Sequence, residues 1–401
     1  MMSAFSASIA ASVNSIRAEE RRTVDMVRVE SQADRDRFVD LPFGLHAADP
    51  HWRPPIRSEI HDLISGKICR NPWFEHGQLG LWLALDRGKV IGRISAQVDD
   101  LVQARMGQGV GQWGMFECVN DPMVADALLQ TAEEWLQRKG MTRSIGPFSL
   151  SVWDECGLLV EGFDTAPTVM MGHNQAYYPG LVERRGYVGL KDLYAYTVPL
   201  HGLSERLARM VALGKDSARI RIRRIDRRRF AAEVALILDI LNDAWSENWG
   251  FVPMTALEIA HAAKKLKPII YEDLVYVAEV DGEPMAFMLT LPDLNELTAD
   301  LDGRLLPFGW AKLLHRLRHP KVDRVRVPLM GVRKAFHGTR LASLTALMMI
   351  DRTRDAAASC YQAKEAELGW VLEDNHAMRR MAVTGGGRIT KTYRIYDRLL
   401  R

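Results

Sequence analysis

The chain has 401 residues, 47% apolar and 26% charged, a globular composition long enough for two domains with separate cores, which excludes disorder, collagen-like repeats and a disulfide-stapled miniature fold. Its 53 Lys and Arg against 50 Asp and Glu leave a formal charge of +3, too near balance for a whole-molecule polyanion binder, so any basic function is local. Four cysteines, Cys69, Cys118, Cys156 and Cys360, stand far apart with no CxxC, which points to neither a disulfide framework nor a zinc knuckle and fits a reducing cytoplasm.

Residues 1–22 are rich in Ser and Ala and end in a charged run; they read as a flexible tail and not as a secretory signal. No stretch approaches the roughly 18 consecutive apolar residues of a spanning helix. A strand is expected at 26–30, helical material at 33–48 and a hairpin at 81–97, with Gly88 at the turn position that favours positive φ. A further strand follows at 111–119. The next helix starts at Asp121, with Pro122 just inside it, and stops at Gly140. The second half reads alike: a strand at 220–225, a helix at 230–245, a hairpin around Gly282, a strand at 326–332, a helix at 343–358, a strand at 366–372, a short helix near Asn375 and a closing strand at 391–397.

The two halves are related by an internal repeat. Gly186, Lys191 and Tyr196 fall on Gly386, Lys391 and Tyr396 at an offset of 200, and Asn174-Gln175-Ala176 faces Asn375-His376-Ala377 at 201. A long-period repeat with strands between helices predicts an α/β (α+β) chain of two tandem domains. Each is expected to be a mixed, mostly antiparallel sheet flanked by helices, the first at 23–205 and the second at 206–401.

The second half also places a basic, glycine-containing turn between a strand and a helix, where backbone N–H groups collect a phosphate. It reads Arg333, Lys334, Ala335, Phe336, His337, Gly338, Thr339, Arg340. Here the chain resembles the GCN5-related N-acetyltransferase superfamily (GNAT), whose pyrophosphate loop lies between the fourth strand and third helix. The segments ELGWVLEDNHAM and GGGRITKTYRIY resemble that superfamily's later strands and fourth helix. The resemblance implies coenzyme contacts from Val332, Arg333, Lys334, His337, Gly338, Thr339, Arg340 and Asn375. The first half has Val119-Asn120-Asp121-Pro122 at the corresponding turn, with an aspartate and no lysine or arginine among these four residues, and is expected to build the substrate cleft without binding coenzyme.

Longer words narrow the resemblance. SVWDECGLLVEGFDTAPTVMMGHNQAYY (151–178), KDLYAY, ENWGFVP and LPDLNE are similar to a tandem family of bacterial acyltransferases that includes the bacterial ceramide synthases. That implies a fatty acyl-CoA co-substrate with no permanently bound cofactor, and the amine of a sphingoid base as acceptor. Rival readings are an acetyl-CoA-dependent transferase of a soluble amine, a non-catalytic acyl-CoA-binding regulator and an aminoacyl-tRNA-dependent transferase. Amide formation from a thioester needs alignment, a place for the oxyanion, a base for the amine and a proton for the thiolate. Asp154, Glu155, Glu161, Asp164 and Glu367 are the acidic candidates for the base, of which Asp154, Glu155 and Glu367 are assigned as catalytic. Asp154 and Glu155 sit beside Trp153 and an apolar run, a setting that raises a carboxyl pKa. Tyr396, or Tyr393, is the candidate thiolate acid. Asn174, Tyr177, Tyr178 and Trp249 are assigned to the amine substrate. A splayed strand edge at 329–332 is the candidate oxyanion donor.

Residues 219–229 contain seven arginines. Without interleaved aromatics they do not suggest nucleic acid; beside an anionic bilayer each basic residue contributes about 1 kcal/mol. A chain of about 14 methylenes carries on the order of 11 kcal/mol of burial free energy, so an enzyme acting on it is expected to be cytoplasmic and peripheral on the inner face of the bacterial inner membrane. No metal site is expected.

Overall fold

The computed structural model describes residues 24–66 and 71–401; the expected tail, and Cys69, lie outside the described residues. The strands are β1 (Asp25–Arg28), β2 (Gly77–Asp86), β3 (Lys89–Asp99), β4 (Val110–Cys118), β5 (Arg143–Gly146), β6 (Leu158–Glu161) and β7 (Val188–Pro199) in the first half. The second half adds β8 (Ile220–Arg224), β9 (Val275–Val280), β10 (Glu283–Pro292), β11 (Arg324–Val332), β12 (Glu365–Leu372) and β13 (Arg388–Leu399). Both expected hairpins form, β2–β3 through Arg87-Gly88 and β9–β10 through Asp281-Gly282. All four turn residues have positive φ, the geometry whose twist matches two-residue hairpin loops.

The expected two sheets are fused into one. Its order is β1-β2-β3-β4-β5-β13-β7-β12-β11-β10-β9-β8, with β6 beside β13. Among the described strands, β4–β5 and β11–β12 pair in parallel and the rest antiparallel, so the mixed, mostly antiparallel character holds. Fusion comes from an exchange: β13, at the end of the second half, pairs with β5, while β7, at the end of the first, pairs with β12. The two repeat-equivalent strands also pair with each other from Val188↔Asp397 to Thr197↔Arg388. Equivalent strands present interchangeable edges, and the exchange leaves neither edge unpaired.

Helices cover the sheet. Helix Pro122–Arg138, capped by Asp121, buries Leu128, Leu129 and Leu136 in the first-half core. Helix Arg340–Tyr361, capped by Thr339, buries Leu344, Met348 and Met349 in the second. Helix Glu205–Lys215 packs on the latter, with Lys215 Nζ 3.0 Å from Asp351.

A strap from the first half is clamped by the second. The Ala166 carbonyl accepts from Arg324 Nη1 (2.8 Å), the Pro167 carbonyl from Asn295 Nδ2 (3.0 Å), and the Val169 carbonyl from Arg326. Val169 N–H donates to Asp293 Oδ1 (2.9 Å), and the Thr168 hydroxyl donates to Glu367. Three carbonyls, one N–H and one hydroxyl of this segment thus find partners across the interface. Burial pushes the Asp293 carboxyl up to about 7, against the opposing pull of Arg324.

Candidate active site

β11 and β12 pair only from Arg324↔Glu365 to Val327↔Leu368. Beyond that point β11 stays on β10 as far as Ala286↔Val332, and β12 follows β7. A wedge opens between them. Arg333 N–H donates to the Met285 carbonyl (2.9 Å), so alternation aims the peptide groups of Val332 and Met330 into the wedge. Two carbonyls there already have partners: Met330 accepts from Trp245 Nε1 (3.0 Å) and Val332 lies 2.7 Å from His337 Nε2. Pro328 supplies no N–H, which leaves the Met330 and Val332 N–H groups as the inward-facing donors. The expected splayed edge at 329–332 is present in this form.

The wedge opens onto a cavity of about 280 Å³ lined by both halves. Leu289, Leu291, Leu329, Trp245 and Trp370 make an apolar wall, with Met170 and Trp153 from the first half. Trp153 stacks on Trp245 (6.4 Å, 3°), meets Phe251 edge-on (5.7 Å), and donates its Nε1 to the Val252 carbonyl (2.9 Å). This aromatic seam locks the halves along the cavity.

Polar groups line the opposite wall. Asp154 accepts from the Ser151 hydroxyl (2.7 Å), and burial pushes its carboxyl up to about 6 even though that bond and Lys265 pull it down. Helix Ala256–Leu266 turns Glu258, His261 and Lys265 toward the cavity, positions spaced to share one face. Burial lowers the His261 pKa. Glu258 is held by a capping box with Thr255 and stands 3.2 Å from His76 Nε2, while His76 Nδ1 lies 3.0 Å from Asp99. Asp99 also accepts from Trp73 Nε1 (2.9 Å).

Of the residues named from sequence, Asp154 lines the cavity. Glu155 does not line the cavity; the desolvating protein around its carboxyl and the nearby Glu117 charge raise its pKa. Glu367, paired in register with Arg326, is buried under the strap. Tyr396 is buried in the first-half core and donates to Glu183 Oε1 (2.9 Å), because strand exchange carries β13 into the other half. Tyr393, also buried, donates to the Gly172 carbonyl (3.0 Å). The exchange instead packs Tyr194 and Tyr196 against β12 and helix His376–Thr384.

The substrate assignments scatter. Asn174 bridges Leu159 N–H (2.7 Å) and its carbonyl (3.2 Å). Tyr177 donates to the Cys118 carbonyl (2.8 Å) and Tyr178 to Glu117 Oε2 (2.6 Å). Trp249 packs in the central cluster beneath Lys191, 5.9 Å from its ammonium. None of the four lines the cavity.

The basic turn forms as expected at the start of helix Arg340–Tyr361. Gly338 has φ +73° with open space around its missing Cβ, and Thr339 caps through Oγ1 to Ala342 N–H (3.2 Å). Arg340 is exposed at the first helical position. Arg333 is paired with Asp239, and Lys334 with Glu247 (2.6 Å). Lys334 N–H donates to Asp243 (2.8 Å). Asn375 caps helix His376–Thr384 through Met378 N–H (3.1 Å). The run at 219–229 is partly paired: Arg219 with Asp281 (2.6 Å), Arg221 with Glu279 (3.7 Å), Arg223 with Glu233 and Glu279, and Arg228 with Asp226.

Sequence reasoning missed Glu258, His261 and Lys265. Their i, i+3, i+7 spacing on a capped helix was the available signal, and nothing in it told a cavity face from a solvent face.

This arrangement is that of tandem GNAT proteins. The structure matches a tandem GNAT protein from the clavulanic acid biosynthesis pathway with a TM-score of 0.55 at 12% identity, covering 94% of this chain and 99% of that one. It matches a GCN5-related N-acetyltransferase from Sphaerobacter thermophilus at 0.51 and 12% identity, over 94% and 96%. No protein-family model matches the sequence. Two curated relatives do: the bacterial ceramide synthase of Caulobacter vibrioides, 42% identical over 379 residues (94% of this chain, 98% of the relative), and protein YghO of Escherichia coli, 40% identical over 365 residues (91% and 93%). The chain belongs to the family of these proteins and is an acyltransferase. Among the described residues no helix is long and apolar enough to cross a membrane.

Proposed function

We propose that the protein transfers a fatty acyl group from acyl-CoA to the amine of a sphingoid base, working peripherally at a cytoplasmic membrane face. The observation that carries this reading is the wedge between β11 and β12 running into an apolar cavity with Asp154 on its wall. The phosphates lie on the turn from Arg333 to Arg340 at the helix start, where the terminal N–H groups and the exposed Arg340 favour an anion, while Arg333 and Lys334 are held by Asp239 and Glu247. The thioester then reaches the Met330 and Val332 N–H groups, and the acyl chain takes the apolar wall.

Asp154, with its raised pKa, accepts a proton from the acceptor ammonium near neutral pH. The neutral nitrogen attacks the thioester carbon, a C–N bond forms, and the oxyanion is met by the β11 N–H groups. The C–S bond breaks on collapse, the surplus proton of the attacking nitrogen passes to the departing thiolate, and the amide and coenzyme A thiol result. The strip of Glu258, His261 and Lys265 faces the amino-alcohol head. The relative's name, a bacterial ceramide synthase, supports the acceptor class.

Purified protein incubated with sphinganine and either palmitoyl-CoA or acetyl-CoA tests the reading. Free thiol and N-acylsphinganine appearing together with palmitoyl-CoA is the expected result. Preference for acetyl-CoA, or acyl-CoA binding without thiol release, would overturn it in favour of the two rival readings.

A further inference from the structure

The residues between the strap's clamp and β11 carry an exposed apolar cluster. Leu306 is 79% exposed, Phe308 77%, Trp310 51% and Leu314 46%. They occupy a loop and the first turns of helix Gly309–Arg318. The inward face of that helix is already satisfied, since Leu313 and Leu317 pack on the core beside Leu297 and Tyr361. Trp310 and Leu314, one turn apart, therefore project away from it.

Within the segment itself the charge has one sign. From Arg304 to Lys321 the chain holds five Lys and Arg and no acid. Asp300 engages Lys312 and Arg316, while Arg304, Arg318 and Lys321 stay exposed with no ion pair among the described residues. Trp, Phe and Leu ringed by basic residues on a short amphipathic helix match the interfacial zone of an anionic bilayer. The site lies close by. Gly303 accepts from Arg57 N–H (3.0 Å) at the start of helix Arg57–Ile64, and Leu63 of that helix lines the cavity. Six residues of helix span about 9 Å.

We propose that Leu306, Phe308, Trp310 and Leu314 insert into the interfacial layer of an anionic phospholipid bilayer and set the cavity mouth beside it. This rests on the long-chain reading above and replaces the partly paired arginine run as the membrane-facing surface. Flotation with phosphatidylglycerol-containing vesicles, compared with pure phosphatidylcholine, is the measurement. The protein should float with the anionic vesicles and be released by about 0.5 M salt. The exposed double variant Phe308→Ser/Trp310→Ser should float at least about tenfold less, with an unchanged circular dichroism melt and unchanged affinity for coenzyme A. Arg221→Ser/Arg228→Ser should float as the parent does.

A parent that ignores vesicles, or a Phe308/Trp310 variant that floats equally, overturns the proposal. So does lipid-free self-association abolished by that variant, which would give the patch to a second copy of this chain. Asp154→Asn should leave flotation intact, so a failed catalytic reading and a failed docking surface give different results.

Discussion

The two halves carry the same wedge position and use it oppositely. In the second, β11 and β12 part after Val327 and leave a slot that joins the cavity. In the first, β4 and β5 part after Gln112↔Ile145, but the chain beyond β5 turns back into the gap. Phe148 N–H donates to the Trp113 carbonyl (2.8 Å), and Gln97 Nε2 donates to the Phe148 carbonyl (2.8 Å). Deeper in, His46 sits between Glu117 (2.9 Å) and Gln175 (3.1 Å), and Tyr178 closes on Glu117. One repeat leaves its strand edge open, and the other spends that edge on its own backbone. A duplicated fold can thus hold one open slot without losing either core.

The largest expected effect tests whether the cavity is the reaction chamber. Asp154→Asn should lower kcat by about 10²–10⁴-fold and abolish the acid limb of the kcat/KM profile, which in the parent should fall as pH drops through about 6. Stability should move the other way. Burial raises this carboxyl above its ordinary 3.8, so the charged group costs stability above about pH 6 and nothing below 3.8. At pH 8 the Asn variant should therefore match or exceed the parent, by up to about 3 kcal/mol. Stopped activity together with an undiminished urea midpoint separates chemistry from folding.

Next is the filled wedge. A Cβ on Gly114 would come 1.8 Å from the Phe148 carbonyl oxygen, so Gly114→Ala forces strand and return segment apart. A loss of about 1–3 kcal/mol or more is expected by urea titration. An unchanged midpoint would mean that the first-half gap has room, and the contrast between halves would fail.

The third effect falls on the open side. Gly338→Glu sets a carboxylate where the phosphates are proposed to lie and should weaken coenzyme A binding by about tenfold or more by calorimetry. Gly338→Ala, which has space for its Cβ but shares the strain of φ +73°, separates charge from backbone. Equal affinities for the Ala and Glu variants would move the phosphate site elsewhere.

Most single elements were legible because each obeys a local rule. The Arg87-Gly88 and Asp281-Gly282 turns, the Asp121 cap with Pro122, and helix Phe230–Trp245 lie where turn chemistry and periodicity put them. The site was less legible for one topological reason. A repeat says that Tyr196 and Tyr396 are equivalent, but not which half each joins, and the exchange of β7 with β13 sends Tyr396 to Glu183 and Tyr196 to the neighbourhood of Arg379. Asn174, Tyr177 and Tyr178 misled for another reason. Polar groups in an apolar segment suggest recognition, yet here they satisfy the backbone of Leu159 and Cys118 and the carboxylate of Glu117. Their partners are 15, 59 and 61 residues away, beyond any local pattern.

The smallest effect compares the two helix caps. Asp121 accepts from Met123 N–H (2.9 Å) and Thr339 from Ala342 N–H (3.2 Å), so alanine at either should cost about 1 kcal/mol of stability. Coenzyme affinity should distinguish them. Thr339 belongs to the basic turn and its loss should weaken binding, whereas Asp121 caps a helix whose adjoining wedge is occupied by Phe148. Removing the Asp121 carboxylate also makes that helix start more favourable to an anion. If the first half retained a usable slot, Asp121→Ala would raise coenzyme binding or add a second calorimetric site. With the slot filled by the chain itself, stoichiometry should stay at one and affinity should match the parent.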